Sequence, residues 1–480
     1  MSGKASGKAS GKVIASSAQA ASWSELFQGA NAAYTLMVMM GVMMYSLQIL
    51  IVVTIMPTVV AEVGGSSYYV WASMLYQVGS IVGAASVGPV WARTGGRGAF
   101  VFAGCVFAFG TMGCALSADM LELVMARSVQ GFGGGLILGG TMGFVSRVYA
   151  PNVRTRILAV YQGFWSVCAL IGPLVGGLFA EIGWWRGAFW SFLPLVLLFC
   201  VVAWLKVPKS LTEAGGGSGF PFARISLLAI GVLGVAEAGQ MESLIARALL
   251  LLAALGCIAL TFVLDARAEQ RMFPSRPLSL TNPVGMGYWI LIIVGAAQAS
   301  ITILLPLLLQ VVYEVTPLLV GVTNMINSTS WTIGTFIVAG WTGSRERLAM
   351  RSGPIFMLIA VAAFLAAMQG SSLAMMLCGC FFLGFGVGVH HVHLSSRTME
   401  GALKGEETIT ASSMSMIRSL GQAIGTAIAG MVANMAGLGA GLDAATVSQA
   451  VTAVFAWAIL PVAFAFWLIV RLSATAARSA

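Results

Sequence analysis

The sequence predicts an all-α polytopic membrane protein, and three observations lead there. Hydrophobic residues make up 59% of the 480-residue chain and charged residues only 9%, more apolar surface than a soluble domain of this size could bury. The apolar residues fall in repeated runs of about 20, the length a helix needs to cross a hydrocarbon core of ~30 Å with its backbone hydrogen bonds satisfied. Lysine and arginine then collect in every second connection, as the positive-inside rule requires.

The elements follow in order. Residues 1–32 form a tail whose first 22 residues carry three copies of Ser-Gly-Lys, the composition of a disordered segment. Fourteen apolar runs come next, at about 33–57, 70–91, 98–116, 121–146, 157–179, 188–205, 225–238, 244–264, 287–311, 317–340, 353–369, 372–395, 408–434 and 447–470. If the N-terminus is cytoplasmic, the inside connections hold Arg93, Arg97, Arg147, Arg154, Arg156, Arg267, Arg271, Arg276, Arg345, Arg347, Arg351 and Arg397 among others, and the outside ones only Arg186 and Arg247. Both termini then lie inside. The linker at 206–224 contains Gly215-Gly216-Gly217-Ser218-Gly219, a composition suited to a flexible connection between bundles. The chain therefore divides into a six-helix bundle at 33–205, an inserted pair at 225–264, a cytoplasmic loop at 265–286, a second six-helix bundle at 287–470 and a tail at 471–480, a six-plus-two-plus-six arrangement.

Several function classes drop out. The net charge of +9 serves topology and gives no case for nucleic-acid binding. The seven cysteines lie in or beside apolar runs and read as small apolar filler. The three histidines, His390, His391 and His393, have no carboxylate or thiol placed to join them, so neither a metal nor another cofactor is expected. The polar start and the length of the first apolar run argue against a cleavable signal peptide. No His-Asp pairing, HExxH or GxxxxGK[ST] pattern occurs, so an enzyme is not expected.

Two stretches stand out against the apolar background. Ala126-Arg127-Ser128-Val129-Gln130-Gly131-Phe132-Gly133-Gly134-Gly135 places an arginine within the fourth run and follows it with glycines. Charge at that depth is costly and marks function, and glycines let neighbouring helices approach closely. Gly172-Pro173-Leu174-Val175-Gly176-Gly177 follows on the fifth run. Together, in this order, they resemble the major facilitator superfamily, and the fourteen runs resemble its drug:proton antiporter branch of multidrug efflux transporters. The likeness covers roughly 33–470.

The resemblance implies two bundles rocking around a site near the bilayer midplane of a bacterial inner (plasma) membrane. It associates Arg127, with Gln130, with proton coupling, and makes Gly172, Pro173, Gly176 and Gly177 the antiporter motif. Trp184-Trp185-Arg186 before Phe189 resembles the branch's outer signature; an interfacial aromatic belt would also account for it. Gly88, Arg93 and Gly95 belong to the conformational loop between the second and third helices, where the family's aspartate is Ala92 here. In Leu47-Gln48-Ile49, ahead of Pro57, the branch's aspartate is Gln48, which hydrogen-bonds but does not titrate.

Candidate site residues follow from depth and spacing. Gln48 and Arg127 lie at similar depth, at ~1.5 Å per residue; each other or a neighbouring backbone carbonyl is the partner open to them. Arg418 stands near the middle of the thirteenth run and shares a face with Gln422 and Ser415. Asn324, Asn327 and Trp331 share a face of the tenth run, and Gln77, Tyr161, Trp165 and Gln298 add polar or aromatic groups. Interhelical hydrogen bonding is the plainer role for each lone amide. No acid falls at the centre of a run, so a cavity with two arginines should be positive, favouring anionic or neutral amphiphiles over cations. His390 and His393, at the inner end of the twelfth run, and Glu314, at an outer helix end, are the remaining proton-carrier candidates. The expected function is export of an amphipathic molecule by proton-linked antiport. An uncoupled facilitator and a non-transporting receptor or scaffold are the alternatives. The partners are a small-molecule substrate and membrane lipid, with a periplasmic adaptor left open.

Overall fold

The computed structural model describes residues 23–149, 151–208, 221–238, 241, 243–268, 271–370, 372–404, 406–440 and 442–475. The expectations for the N-terminal Ser-Gly-Lys repeats, the Gly215–Gly219 stretch and the end of the C-terminal tail lie outside these residues. All regular structure among the described residues is helical. The helices are α1 Gly29–Val63, α2 Trp71–Ala85, α3 Val87–Leu116, α4 Met120–Val148, α5 Pro151–Glu181, α6 Gly187–Trp190, α7 Leu193–Lys206, α8 Phe222–Glu237, α9 Leu244–Ala266, α10 Pro283–Val311, α11 Pro317–Val338, α12 Ser344–Gly370, α13 Leu373–Glu400, α14 Glu407–Met435 and α15 Ala444–Thr475. The short α6 and α7 together occupy the sixth apolar run, so the fourteen runs each find a helical segment.

Ten spans among the described residues are long and apolar enough to cross a membrane, counting α6 and α7 as one. The segments that miss that standard do so for visible reasons. Helices α2 and α8 have 15 and 16 residues. Helix α4 carries Arg127, Gln130 and its glycines, and α11 carries Asn324, Asn327 and a run of hydroxyls. Polar side chains that lower hydropathy in a spanning helix face other helices or a cavity, because lipid cannot satisfy them.

Helices α1–α7 pack mainly with one another through α2–α4, α3–α4, α1–α5 and α3–α7, and α10–α15 do likewise through α10–α14, α12–α13, α11–α13 and α10–α15. The two groups meet along α5–α11 and α2–α14, and α8, paired with α9, lies against both α2 and α14. The seam has two ends, named here for the residues where α1 starts and stops, the Gly29 end and the Val63 end.

Backbone carbonyls explain the glycines. A Cβ on Gly131 would stand 2.1 Å from the Tyr76 carbonyl oxygen and one on Gly135 2.0 Å from that of Ser80, so α2 rests directly on α4. On its other side, Gly133 receives the backbone of Phe107 in α3. Gly95 has φ +69 and separates a helical turn at 87–94 from the spanning part of α3, so the conformational loop is largely helical with one left-handed joint.

Caps fix several helix starts. Asp119 accepts from Glu122 N at 2.9 Å to begin α4, and Asn282 accepts from Gly285 N to begin α10. Asp265, only 2% exposed at the end of α9, pairs with Arg224 of α8. It also accepts from Met272 N at 2.9 Å and Phe273 N at 3.0 Å. From there the chain reaches α14, where Ser275 N donates to Glu406 at 2.9 Å.

Candidate functional site

Arg127 is fully buried between α2, α3 and α4. Its Nη1 donates to Gln130 Oε1 at 2.5 Å, its Nε to the Ala72 carbonyl at 3.2 Å, and its guanidinium lies over the Tyr76 ring, 4.1 Å from the centroid. Gln130 Nε2 donates to Thr111 Oγ1 at 2.9 Å, and Thr111 passes its own proton to the Phe107 carbonyl. Dipoles and a π face therefore carry this buried cation, an arrangement stabilised by the low dielectric around it. The Tyr76 hydroxyl continues to the Tyr45 carbonyl at 3.2 Å, the Tyr45 hydroxyl to Ser80, and the Tyr45 ring meets Trp165 at 6.0 Å.

The second arginine is placed differently. Arg418 on α14 is half-buried, lies over Trp331 of α11 at 5.3 Å, and makes no hydrogen bond or ion pair among the described residues. It lines a cavity of about 10 Å³ with Gln298, Trp331, His390 and His391. That is room for about one water. Tyr45 of α1 and Tyr161 of α5 lie within its electrostatic reach, so its charge is felt across the seam.

At the Val63 end the seam is closed. Gly177 of α5 faces the Pro317 carbonyl, and Gly321 of α11 faces the Pro173 carbonyl; a Cβ on either would stand within 2.5 Å of that oxygen. Glu181 accepts from Leu318 N at 3.1 Å, Asn434 donates to the Ser67 carbonyl at 3.1 Å, and Gln310 donates to the Thr54 carbonyl at 3.3 Å. Gly172 and Gly176 instead seat α5 on Leu50 and Ile51 of α1.

The family model of the Major Facilitator Superfamily matches residues 36–426. The chain belongs to that superfamily. A probable multidrug-efflux transporter of Mycobacterium tuberculosis is 27% identical over 399 residues, covering 80% of this chain and 83% of its own. Multidrug resistance protein 3 of Bacillus subtilis is 24% identical over 170 residues, 35% of this chain and 33% of its own. The crystal structure of a D-xylose-proton symporter superimposes with a TM-score of 0.62 at 13% identity, covering 90% of this chain and 97% of that one, which speaks for the fold alone. The protein is thus a multi-span helical membrane protein of a transporter superfamily with multidrug-efflux relatives.

Within this superfamily member the site residues named from sequence separate into groups. Gln298, Trp331, His390 and Arg418 come together at the cavity. Arg127 and Gln130 pair, but inside the α2–α3–α4 contact rather than at that cavity. Gln48 has neither of the partners open to it among the described residues: it is 0% exposed, both amide atoms are unpartnered there, and Arg127 is engaged elsewhere. Similar depth did not bring the two together, because depth along a helix says nothing of which way a side chain points around it. Gln77 Oε1 and Asn327 Oδ1 are likewise buried without a partner, with Asn327 wedged where Gly384 of α13 approaches α11. Asn324 and Gln422 are half-buried on α11 and α14, while the Ser415 side chain lies outside the described residues.

The proton-carrier candidates also part company. His393 Nε2 is bonded to the Val338 carbonyl at 2.9 Å. Helix α13 continues to Glu400, so the histidines sit well inside it rather than at its inner end. Glu314 is exposed in the α10–α11 connection, past the end of α10 at Val311, which is itself ~20 Å along the helix from Gln298. Arg93 is exposed beside Gly88 and Gly95. Tyr45 and Tyr76 were missed; a single tyrosine close to Gln48 in the first apolar run and to Gln77 in the second was the available signal. Nothing in three neighbouring histidines says which one meets Trp331, as His391 does at 5.9 Å.

Proposed function

We propose that the chain is a secondary active exporter of amphipathic organic molecules that works by alternating access. On this reading its fourteen helical segments form a bundle at 33–205, an inserted pair at 225–264 and a second bundle at 287–470. Both termini face the cytoplasm of a bacterial cell and the Val63 end faces out. The observation that carries the reading is Arg418, free of any acidic partner among the described residues, at the middle of a seam whose Val63 end is tied across by Glu181, Asn434 and Gln310. Separation at the Gly29 end would expose it to the cytoplasm. The multidrug-efflux relatives support the outward direction.

Arg418, with no carboxylate beside it among the described residues, favours anionic or neutral substrates over cations. The acids nearest the seam are held at helix ends, Glu62 by Trp185 and Arg186 and Glu181 by Leu318 N, so proton coupling falls to the α13 histidines. The buried, uncharged Gln48 favours a second reading, an uncoupled facilitator. Proteoliposomes under an imposed pH gradient decide between them. Accumulation by the wild type and by Glu314→Gln, lost in His390→Gln, supports antiport. Gradient-independent equilibration by all three supports the facilitator.

A further inference from the structure

The cavity between α10, α11, α13 and α14 holds two polar groups of opposite demand. The Arg418 guanidinium, without hydrogen bond or ion pair among the described residues, offers donors and positive charge. His390 is 1% exposed, and its Nδ1 lies 2.7 Å from the Gly386 carbonyl oxygen. A carbonyl only accepts, so Nδ1 carries the proton and Nε2 of the neutral ring presents a lone pair. That Nε2 is buried with no partner among the described residues, and His390 lines the same cavity as Arg418. Such a buried acceptor costs free energy until something donates to it.

We infer that this cavity receives the headgroup of a 2-hydroxy acid anion: the carboxylate on Arg418 and the neighbouring hydroxyl donating to His390 Nε2. A plain carboxylate would leave Nε2 unsatisfied, a plain alcohol would leave the Arg418 charge without a counter-ion, and a quaternary cation, with neither an N–H donor nor negative charge, would meet neither demand. Gln298, with no side-chain hydrogen bond among the described residues, can donate to the second carboxylate oxygen. Trp331, with Tyr45 and Tyr161 across the seam, gives the tail an aromatic setting. With room for about one water, the cavity admits such a headgroup only when the seam opens. The inference rests on the reading of a central substrate site that opens by alternating access.

The test compares mandelate, phenylacetate, 2-phenylethanol and benzyltrimethylammonium, all small and singly aromatic, by calorimetry on the purified full chain. Mandelate should bind about tenfold more tightly than phenylacetate, the return on one buried hydrogen bond, with the alcohol and the cation weaker still. His390→Leu should bring mandelate down to the phenylacetate level and leave phenylacetate within about twofold. His390→Gln, which restores an acceptor, should recover part of the preference. Arg418→Gln should remove binding of both acids. Equal binding of mandelate and phenylacetate by the wild type would overturn the inference, as it would mean that a trapped water already serves Nε2. Because that comparison needs only the wild type, misfolding of a variant leaves it decisive. Vesicle transport separates the two readings. A mandelate preference without transport under any gradient keeps the binding site and defeats the exporter, whereas dye export without the preference does the reverse.

Discussion

The guanidinium carbon of Arg127 stands 4.1 Å from the centre of the Tyr76 ring, and Tyr76 in turn donates to the Tyr45 carbonyl. The ring face and the hydroxyl are separable. Tyr76→Phe should keep the cation–π contact and lose one hydrogen bond, costing about 1 kcal/mol. Tyr76→Leu removes the face that offsets a desolvated charge and should cost ~2 kcal/mol or more. Arg127→Lys keeps the charge but not the forked geometry that serves Gln130 and Ala72 together. It should fall below Tyr76→Phe in both thermal stability and transport. A lysine variant as stable as wild type would show that charge alone matters there.

Gly135 has no room for a methyl group. A Cβ there would stand 2.0 Å from the Ser80 carbonyl oxygen, a rigid backbone atom, so Gly135→Ala must push α2 off α4. The melting temperature in detergent should drop sharply. Gly256→Ala is the matched control, because nothing stands within 4 Å of its Cβ position. It should be neutral or stabilise by about 1 kcal/mol through helix propensity.

Gly177 closes the Val63 end against Pro317, where an added Cβ would stand 2.5 Å from the carbonyl oxygen. Gly177→Val should wedge α5 from α11 there and shift the population towards a form open at that end. Spin labels at Trp184 and Leu319, both exposed, should report a longer and broader distance distribution than in the parent protein. Glu181→Gln should shift it less, because an exposed charged contact is worth only ~1 kcal/mol or below.

Orientation can be read by labelling. Ser117, near the α3–α4 turn, is 2% exposed and a poor target, but the neighbouring Ala118 is open, as is Thr342 between α11 and α12. In a cysteine-free background, Ala118→Cys and Thr342→Cys should react with a membrane-impermeant maleimide from opposite faces, Ala118→Cys from outside. Reaction of both from one face would break the alternation of spans.

Legibility followed the kind of information each residue carries. Glycine spacing encodes close approach, so Gly131, Gly135, Gly172 and Gly176 pointed to tight helix contacts before any coordinates. Gln130, three residues from Arg127, was bound to be its neighbour by helix geometry alone. Azimuth was not encoded. Gln48 matches Arg127 in depth yet turns elsewhere, and His390, His391 and His393 fan around α13 at about 100° per residue, so only helix rotation decides which meets the cavity. Where α8 and α9 would dock was equally hidden, because both are apolar nearly all round.

That docking has a consequence for rate. Helix α8 touches α2 from one group and α14 from the other, so any rocking of the groups must drag it over at least one of them. Its boundary with α2 is hydrocarbon on both sides, a small gap lined by Val78, Ile81 and Val82 of α2 and Ile225, Leu228 and Val232 of α8. Aliphatic contacts have no preferred direction, so sliding costs little at any one step. Where α8 meets α9, by contrast, the buried Asp265–Arg224 pair holds the hairpin rigid at the Gly29 end. On the proposed alternating-access reading the hairpin therefore behaves as a stiff skid on a lubricated track, setting the friction of the cycle without choosing either end state.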